Sequence, residues 1–134
     1  MKTLLLPLIA SITFAECVIA SLPKVFINYC YDGDTCTTSK GETIRLACID
    51  TPELKGENAK PIPAKSAKDF LNDLVAYQEV SIKRITIDRY GRTVAELFKD
   101  EKNIQELIVI KGFGAIYKRY AHQCEWSKKF DQMK

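Results

Sequence analysis

Two short acidic clusters with an arginine between them carry most of the chemistry this sequence can do. Asp32-Gly33-Asp34-Thr35 comes first, Arg45 follows, and Asp50-Thr51-Pro52-Glu53 closes the stretch, while Arg92 lies after a turn far downstream. Carboxylates and main-chain carbonyls are the hard oxygen donors that a calcium-like dication takes. A spare carboxylate beside them suits the handling of a water proton. Guanidiniums are planar, permanently charged and matched to phosphate oxygens. Together these groups meet the demands of phosphodiester chemistry.

The elements that must position them read as mainly β. Val25-Phe26-Ile27 opens a strand, and Asp32-Gly33 is a turn signal before Thr35 to Thr38. Ser39 to Glu42 turns the chain into a third strand, Thr43 to Ile49, with Ile44, Leu46 and Cys48 on one side and Arg45 on the other. Pro52 stops that strand, and Leu54 to Pro63 has the Gly, Asn and Pro content of a loop. Ala64 to Tyr77 has the apolar spacing of an amphipathic helix, with Pro63 at its start. Val80 to Ile87 reads as a strand with one slip in alternation, as a bulge produces, and Asp88 to Gly91 as a turn into the strand Arg92 to Lys99. Asn103 caps a short helix, Ile104 to Lys111, which Gly112 ends. The fold expected is α+β, mainly β. It is a five-stranded OB-fold barrel with a helix between strands 3 and 4, a short helix after strand 5, and a truncated C-terminal helix from Glu125 onward with Trp126 and Phe130 on one face.

The 134 residues, 46% of them apolar, suffice for one domain with one core. Residues 1–20 read as a secretory signal: Lys2, an apolar run from Leu4 to Phe14, then small residues with Ala15 or Ala20 as the exit. The run is too short for a permanent membrane anchor. The domain proper then spans 21–134, in a secreted or periplasmic protein. Removing the leader discards Cys17 and leaves Cys30, Cys36, Cys48 and Cys124, an even set that suggests bridges in any of three pairings. Zinc is disfavoured, since no C-x-x-C pair is present. The net charge is +3, distributed unevenly: Asp32 to Glu57 holds six acids and three bases, whereas six Lys and Arg from Lys111 onward face only Glu125 and Asp131. An ion-binding half beside a cationic half suits a polyanion, although a solvated surface produces the same pattern.

These motifs resemble those of the staphylococcal nuclease (thermonuclease) family between about Tyr29 and Tyr120. The resemblance is carried by Asp32-Gly33-Asp34-Thr35, Ile44-Arg45-Leu46, Ile49-Asp50-Thr51-Pro52-Glu53 and Asp88-Arg89-Tyr90-Gly91-Arg92, in that order and at these spacings. It implies an OB-fold barrel that cuts DNA and RNA with calcium. The function expected is a sequence-nonspecific endonuclease acting on single-stranded or frayed DNA and RNA, and as nothing in the sequence demands a partner chain, a monomer is expected. On the family pattern Asp34, Asp50 and the carbonyl of Thr51 hold the ion. Glu53 orients or deprotonates the attacking water, and Arg45 and Arg92 grip the phosphate. Arg89, Tyr90 and Tyr120 line the nucleotide pocket, with arginine at position 89 where the family often has lysine.

Each residue also has a plainer reading. Asp32 suits a turn, Arg45 and Glu53 could form a surface ion pair, Tyr117, Tyr120 and Phe113 could be core, and His122 matches a solvated loop position. The competing function is a non-catalytic OB-fold module that holds nucleic acid or a protein partner. That reading predicts loss of the carboxylates, and here they are all present.

Overall fold

Antiparallel pairing begins where β1 (Lys24–Cys30) turns through Asp32-Gly33 into β2 (Thr35–Thr38). The Asp32 carboxylate accepts the Asp34 N–H at 3.0 Å, which fixes this turn from within. In the computed structural model, which describes residues 3–5, 7–11 and 13–132, the chain continues into β3 (Thr43–Leu46) and the two-residue β4 (Ile49–Asp50). Helix α2 (Pro61–Val75), β5 (Gln78–Ile87) and β6 (Thr93–Lys99) follow. The strand order is β3-β2-β1-β5-β6, and a parallel pairing of β3 with β6 closes the barrel. A short β7 (Lys102–Asn103) leads into α3 (Ile104–Ile110), and β8 (Ala115–Ile116) pairs with β4. This is the five-stranded OB-type barrel expected, with the helix between its third and fourth long strands.

Ile27, Ile44, Leu46, Ile82 and Leu97 point into the barrel and are fully buried. From α2, Leu71 and Val75 join the same cluster, as Ile104 and Ile108 do from α3. Each such side chain contributes about 1.5–3 kcal/mol by leaving water. The slip in β5 is a register shift between Arg84 and Thr86. Asn103 caps α3 through its side chain, which accepts the Glu106 N–H at 3.0 Å.

The third strand is shorter than its alternation predicts. It ends at Leu46, because Cys48 takes a left-handed backbone (φ 67°) and Arg45 draws the carbonyls of Leu46 and Ile49 together with one nitrogen. Asp50, in the separate β4, is exposed while its neighbour Ile49 is buried. Helix α2 starts at Pro61, before the expected Ala64; both Pro61 and Pro63 sit in its first turn, where no intrahelical N–H is needed. Beyond β8 the chain is less regular than expected, with 3-10 turns over Lys118–Gln123 and Glu125–Ser127 before a four-residue α4 (Lys128–Asp131). Trp126 and Phe130 meet edge to face at 5.8 Å.

Cys30 bonds to Cys36 directly across β1 and β2, and Cys48 bonds to Cys124 over a separation of 76 residues. Helix α1 (Phe14–Ala20) precedes the barrel, and upstream apolar residues such as Leu5, Leu8 and Ile9 stand in solvent. Of the expected leader, Met1, Lys2, Leu6 and Ile12 lie outside the described residues, as do Met133 and Lys134 at the other end. No helix among the described residues is long and apolar enough to cross a membrane.

Candidate active site

Arg45 leaves β3 at the point where the barrel closes on β6, and its guanidinium is committed at both ends. One terminal nitrogen donates to the carbonyls of Leu46 at 2.7 Å and Ile49 at 2.9 Å. The other lies 3.3 Å from Asp34 Oδ2 and 3.6 Å from Asp50 Oδ1. A single nitrogen therefore bridges the two carboxylates assigned to an ion. Thr51 completes the group, its N–H and hydroxyl donating to Asp34 Oδ2 at 3.2 and 3.0 Å, while the Thr35 hydroxyl donates to Oδ1 at 3.1 Å.

The two carboxylates differ in setting. The Asp34 side chain is 9% exposed and that of Asp50 56%. Burial pushes the Asp34 carboxyl up to about 7, and Arg45 pulls the other way without cancelling it. Burial thus disfavours the ionised form of Asp34, and a dication beside it would favour that form. The Asp34 oxygens and those of the exposed Asp50 carboxylate, which share one Arg45 nitrogen, are a donor set of the kind hard cations take. The set is small: among the described residues no three His, Cys, Asp or Glu side chains converge, so an ion here would need its remaining ligands from main chain or water.

Two glycines let these segments approach. A Cβ on Gly33 would sit 2.7 Å from Ala67 Cβ and 2.9 Å from the Thr51 side chain, and one on Gly114 would sit 3.0 Å from the Asp50 carbonyl oxygen. The Asp50-Thr51 segment is wedged between backbones that carry no side chain.

Arg45 also borders a cleft of about 480 Å³ that Arg92, Arg89, Tyr90 and Tyr120 line with it. Asp34, Asp50, Thr51 and Glu53 do not line this space; Arg45 is the link between the carboxylates and the cleft. The turn after β5 is built around Asp88, whose carboxylate accepts the N–H groups of Tyr90 and Arg92 and the Arg92 Nε–H, the last at 2.7 Å. Burial raises the Asp88 carboxyl, but Arg92 and the two backbone donors outweigh it and hold the group below the usual carboxylate range. Arg92 is anchored through Nε, and its terminal nitrogens have no bonded partner among the described residues. Both Arg89 and Arg92 lie over the Tyr90 ring, 4.8 and 5.3 Å from its centre.

Glu53 is exposed, and no hydrogen bond or ion pair engages its side chain among the described residues; it does not pair with Arg45. Asp32 serves the turn. Tyr117 and Tyr120 are not core but line the cleft, each 38% exposed, whereas Phe113 stacks on Phe70 at 4.4 Å. His122 is exposed. Arg119, which the motif reading passed over, also lines the cleft; its only sequence signal was a positive charge placed between two tyrosines.

Residues 43–134 match the model of the family described as staphylococcal nuclease homologue, a span that begins after Asp34. An uncharacterized endonuclease of Haemophilus influenzae is 38% identical over 95 residues, covering 68% of this chain and 51% of that protein. Endonuclease YncB of Bacillus subtilis is 28% identical over 117 residues, covering 81% and 55%, and an uncharacterized endonuclease of Escherichia coli O157:H7 is 31% identical over 93 residues, covering 66% and 58%. The chain spans a little over half the length of these curated relatives. Barrel topology, motif order and the family match agree, and the chain belongs to the staphylococcal nuclease family.

Proposed function

We propose that this chain is a metal-dependent, sequence-nonspecific endonuclease that hydrolyses phosphodiester bonds of DNA and RNA, with calcium as the ion. The observation that carries this reading is the Arg45 guanidinium, one nitrogen of which bridges Asp34 and Asp50 while the side chain borders the cleft that Arg92 lines. The endonuclease names of the relatives support the same activity.

Asp34, Asp50 and the Thr51 carbonyl would hold the ion, which when bound supplies Lewis-acid polarisation of a phosphoryl oxygen. Arg45 and Arg92 would take the equatorial oxygens, where charge gathers as the bond breaks; both are held in place before substrate arrives, so little reorganisation is needed. Glu53, unpaired and exposed among the described residues, is available to accept the proton of the attacking water. Tyr90, Tyr120 and Arg89 would hold the nucleotide in the cleft. Single-stranded or frayed segments fit best, since aromatic rings can stack only on unpaired bases.

Export to the periplasm or the medium completes the proposal, supported by two disulfides and by the apolar N-terminal run. The test is digestion of single-stranded DNA and of RNA with calcium and with chelator. Cutting that needs the ion and falls by orders of magnitude in Glu53→Ser is expected. Binding without cutting under all conditions would favour the non-catalytic module instead.

A further inference from the structure

Four guanidiniums line the cleft; two of them are paired with carboxylates and a third is hydrogen-bonded to a neutral hydroxyl. Arg45 faces Asp34 and Asp50, Arg92 faces Asp88, and Arg89 donates to the Tyr90 hydroxyl at 2.7 Å. Arg119 differs. It is exposed, no carboxylate pairs with it among the described residues, and its guanidinium carbon lies 5.5 Å from the centre of the Tyr120 ring. A charge left uncompensated at the edge of a concave site attracts an anion more strongly than one already paired.

The segment that carries it is held at both ends. The Tyr117 N–H donates to the Cys48 carbonyl at 2.8 Å, next to the β4–β8 pairing. Cys124, fully buried, is bonded to the same Cys48. The Ser127 hydroxyl donates to the Ala121 carbonyl at 2.8 Å. Between these ties the 3-10 turn Lys118–Gln123 buries no residue of its own, so it displays side chains and does not fill the core. Tyr117 and Tyr120 meet edge to face at 5.1 Å and present rings beside Arg119. A platform fixed in advance loses little entropy when it binds.

We propose that Arg119 is a substrate-binding residue of the cleft: it grips a phosphate flanking the scissile one on single-stranded nucleic acid, while Tyr117 and Tyr120 offer their rings to the neighbouring base. The cleft volume of about 480 Å³ exceeds what one phosphate fills, and falls in the range that holds a nucleotide-sized ligand. Arg45 and Arg92 serve the reacting phosphate, and Arg119 extends the grip along the strand. The assignment rests on the cleft being the nucleic-acid site, as proposed above.

Two measurements on the full chain test it. Binding of a fluorescein-labelled single-stranded DNA octamer, followed by anisotropy in chelator at several salt concentrations, reads affinity without cutting. Loss of one phosphate contact in Arg119→Ala should flatten the slope of log K against log salt by about 0.7, and Arg119→Lys should restore it. In steady-state cutting with calcium, Arg119→Ala should raise KM for the octamer roughly five- to tenfold, as for one charge-assisted contact, with the loss in KM and not in kcat. The penalty should shrink on a dinucleoside monophosphate, which has no flanking phosphate. An unchanged salt slope and KM, or a loss confined to kcat, overturns the proposal. If the parent protein binds but does not cut, and Arg119→Ala still flattens the slope, the nuclease reading fails while the role of Arg119 stands. If the parent neither binds nor cuts, both fall.

Discussion

The Arg45 guanidinium lies 3.3 Å from a carboxylate, Asp34, that the fold has almost removed from water. The pair ties Arg45 on β3 to the turn between β1 and β2. Arg45 favours the charged form of that buried carboxyl without overcoming the cost of burial, and its side chain also borders the cleft. Replacing Arg45 by Ala should lower kcat by roughly a hundred- to a thousandfold, the usual cost of one preorganised donor. It should also destabilise the fold by about 1–3 kcal/mol, because the Leu46 and Ile49 carbonyls and the Asp34 carboxyl lose their donor. Arg45→Lys should recover part of the stability and little of the rate, since one ammonium cannot reach two carbonyls and two carboxylates at once. Single-turnover cutting alongside urea melts separates the two losses, and full activity in Arg45→Lys would remove the geometric role.

Much of this arrangement was legible beforehand, for reasons that differ by residue. Asp34, Arg45, Asp50 and Arg92 stood in motifs whose spacing survives any detail of packing, and the apolar alternation of Ile44 and Leu46 set which way Arg45 faces. The break after Leu46 was not legible. It depends on Cys48 adopting a left-handed backbone and bonding to Cys124, a partner 76 residues away, and local pattern carries no trace of such a contact. Arg119 escaped for a similar reason, because long-range ties, from Cys124 and the Tyr117 N–H to Cys48 and through the β4–β8 pairing, bring its segment to the cleft.

Gly33 offers a steric test of how the site is assembled. A methyl group there would meet Ala67 of α2 and Thr51 at distances real Cβ atoms do not adopt, and neither neighbour is the end of a flexible chain. Gly33→Ala should therefore cost about 1–3 kcal/mol and push Thr51 away from Asp34. The expected signature is a weaker dependence of activity on the ion, with a higher calcium concentration needed for half-maximal cutting. Unchanged stability and unchanged calcium response would mean the helix moves aside freely.

Glu42 supplies a pH test away from the site. Its carboxylate accepts two bonds from Arg84, at 2.7 and 2.9 Å, and one from the Thr93 hydroxyl at 2.8 Å, so it joins β5 and β6 at the seam where β3 closes the barrel. Hydrogen bonding from Arg84 holds the Glu42 carboxyl below its usual range despite partial burial. A depressed carboxylate stabilises the fold above its unfolded pKa of about 4.3, and that contribution is lost as pH falls through the lower folded value. Arg84 is half-exposed, so screening limits the effect to about 0.5–1 kcal/mol. Glu42→Gln should thus lower the melting temperature by a few degrees at pH 7, with the gap closing below about pH 4. A gap independent of pH would assign the loss to packing.

The two disulfides should differ in weight, and the difference is predictable from chain length. Cys30–Cys36 closes a loop of sequence separation 6 between strands already paired by hydrogen bonds, whereas Cys48–Cys124 closes one of 76. In the chain-entropy account these constrain the unfolded state by roughly 2 and 4 kcal/mol. Replacing Cys48 and Cys124 together by Ala should lower the urea midpoint well beyond the matching replacement of Cys30 and Cys36. The long bridge has a further task, because it ties down the segment carrying Tyr117, Arg119 and Tyr120. Its loss should weaken single-stranded DNA binding even at temperatures where the barrel stays folded, while loss of the short bridge should leave affinity close to that of the parent. Equal loss of affinity in both double variants would show that the cleft wall does not depend on its tie to Cys48.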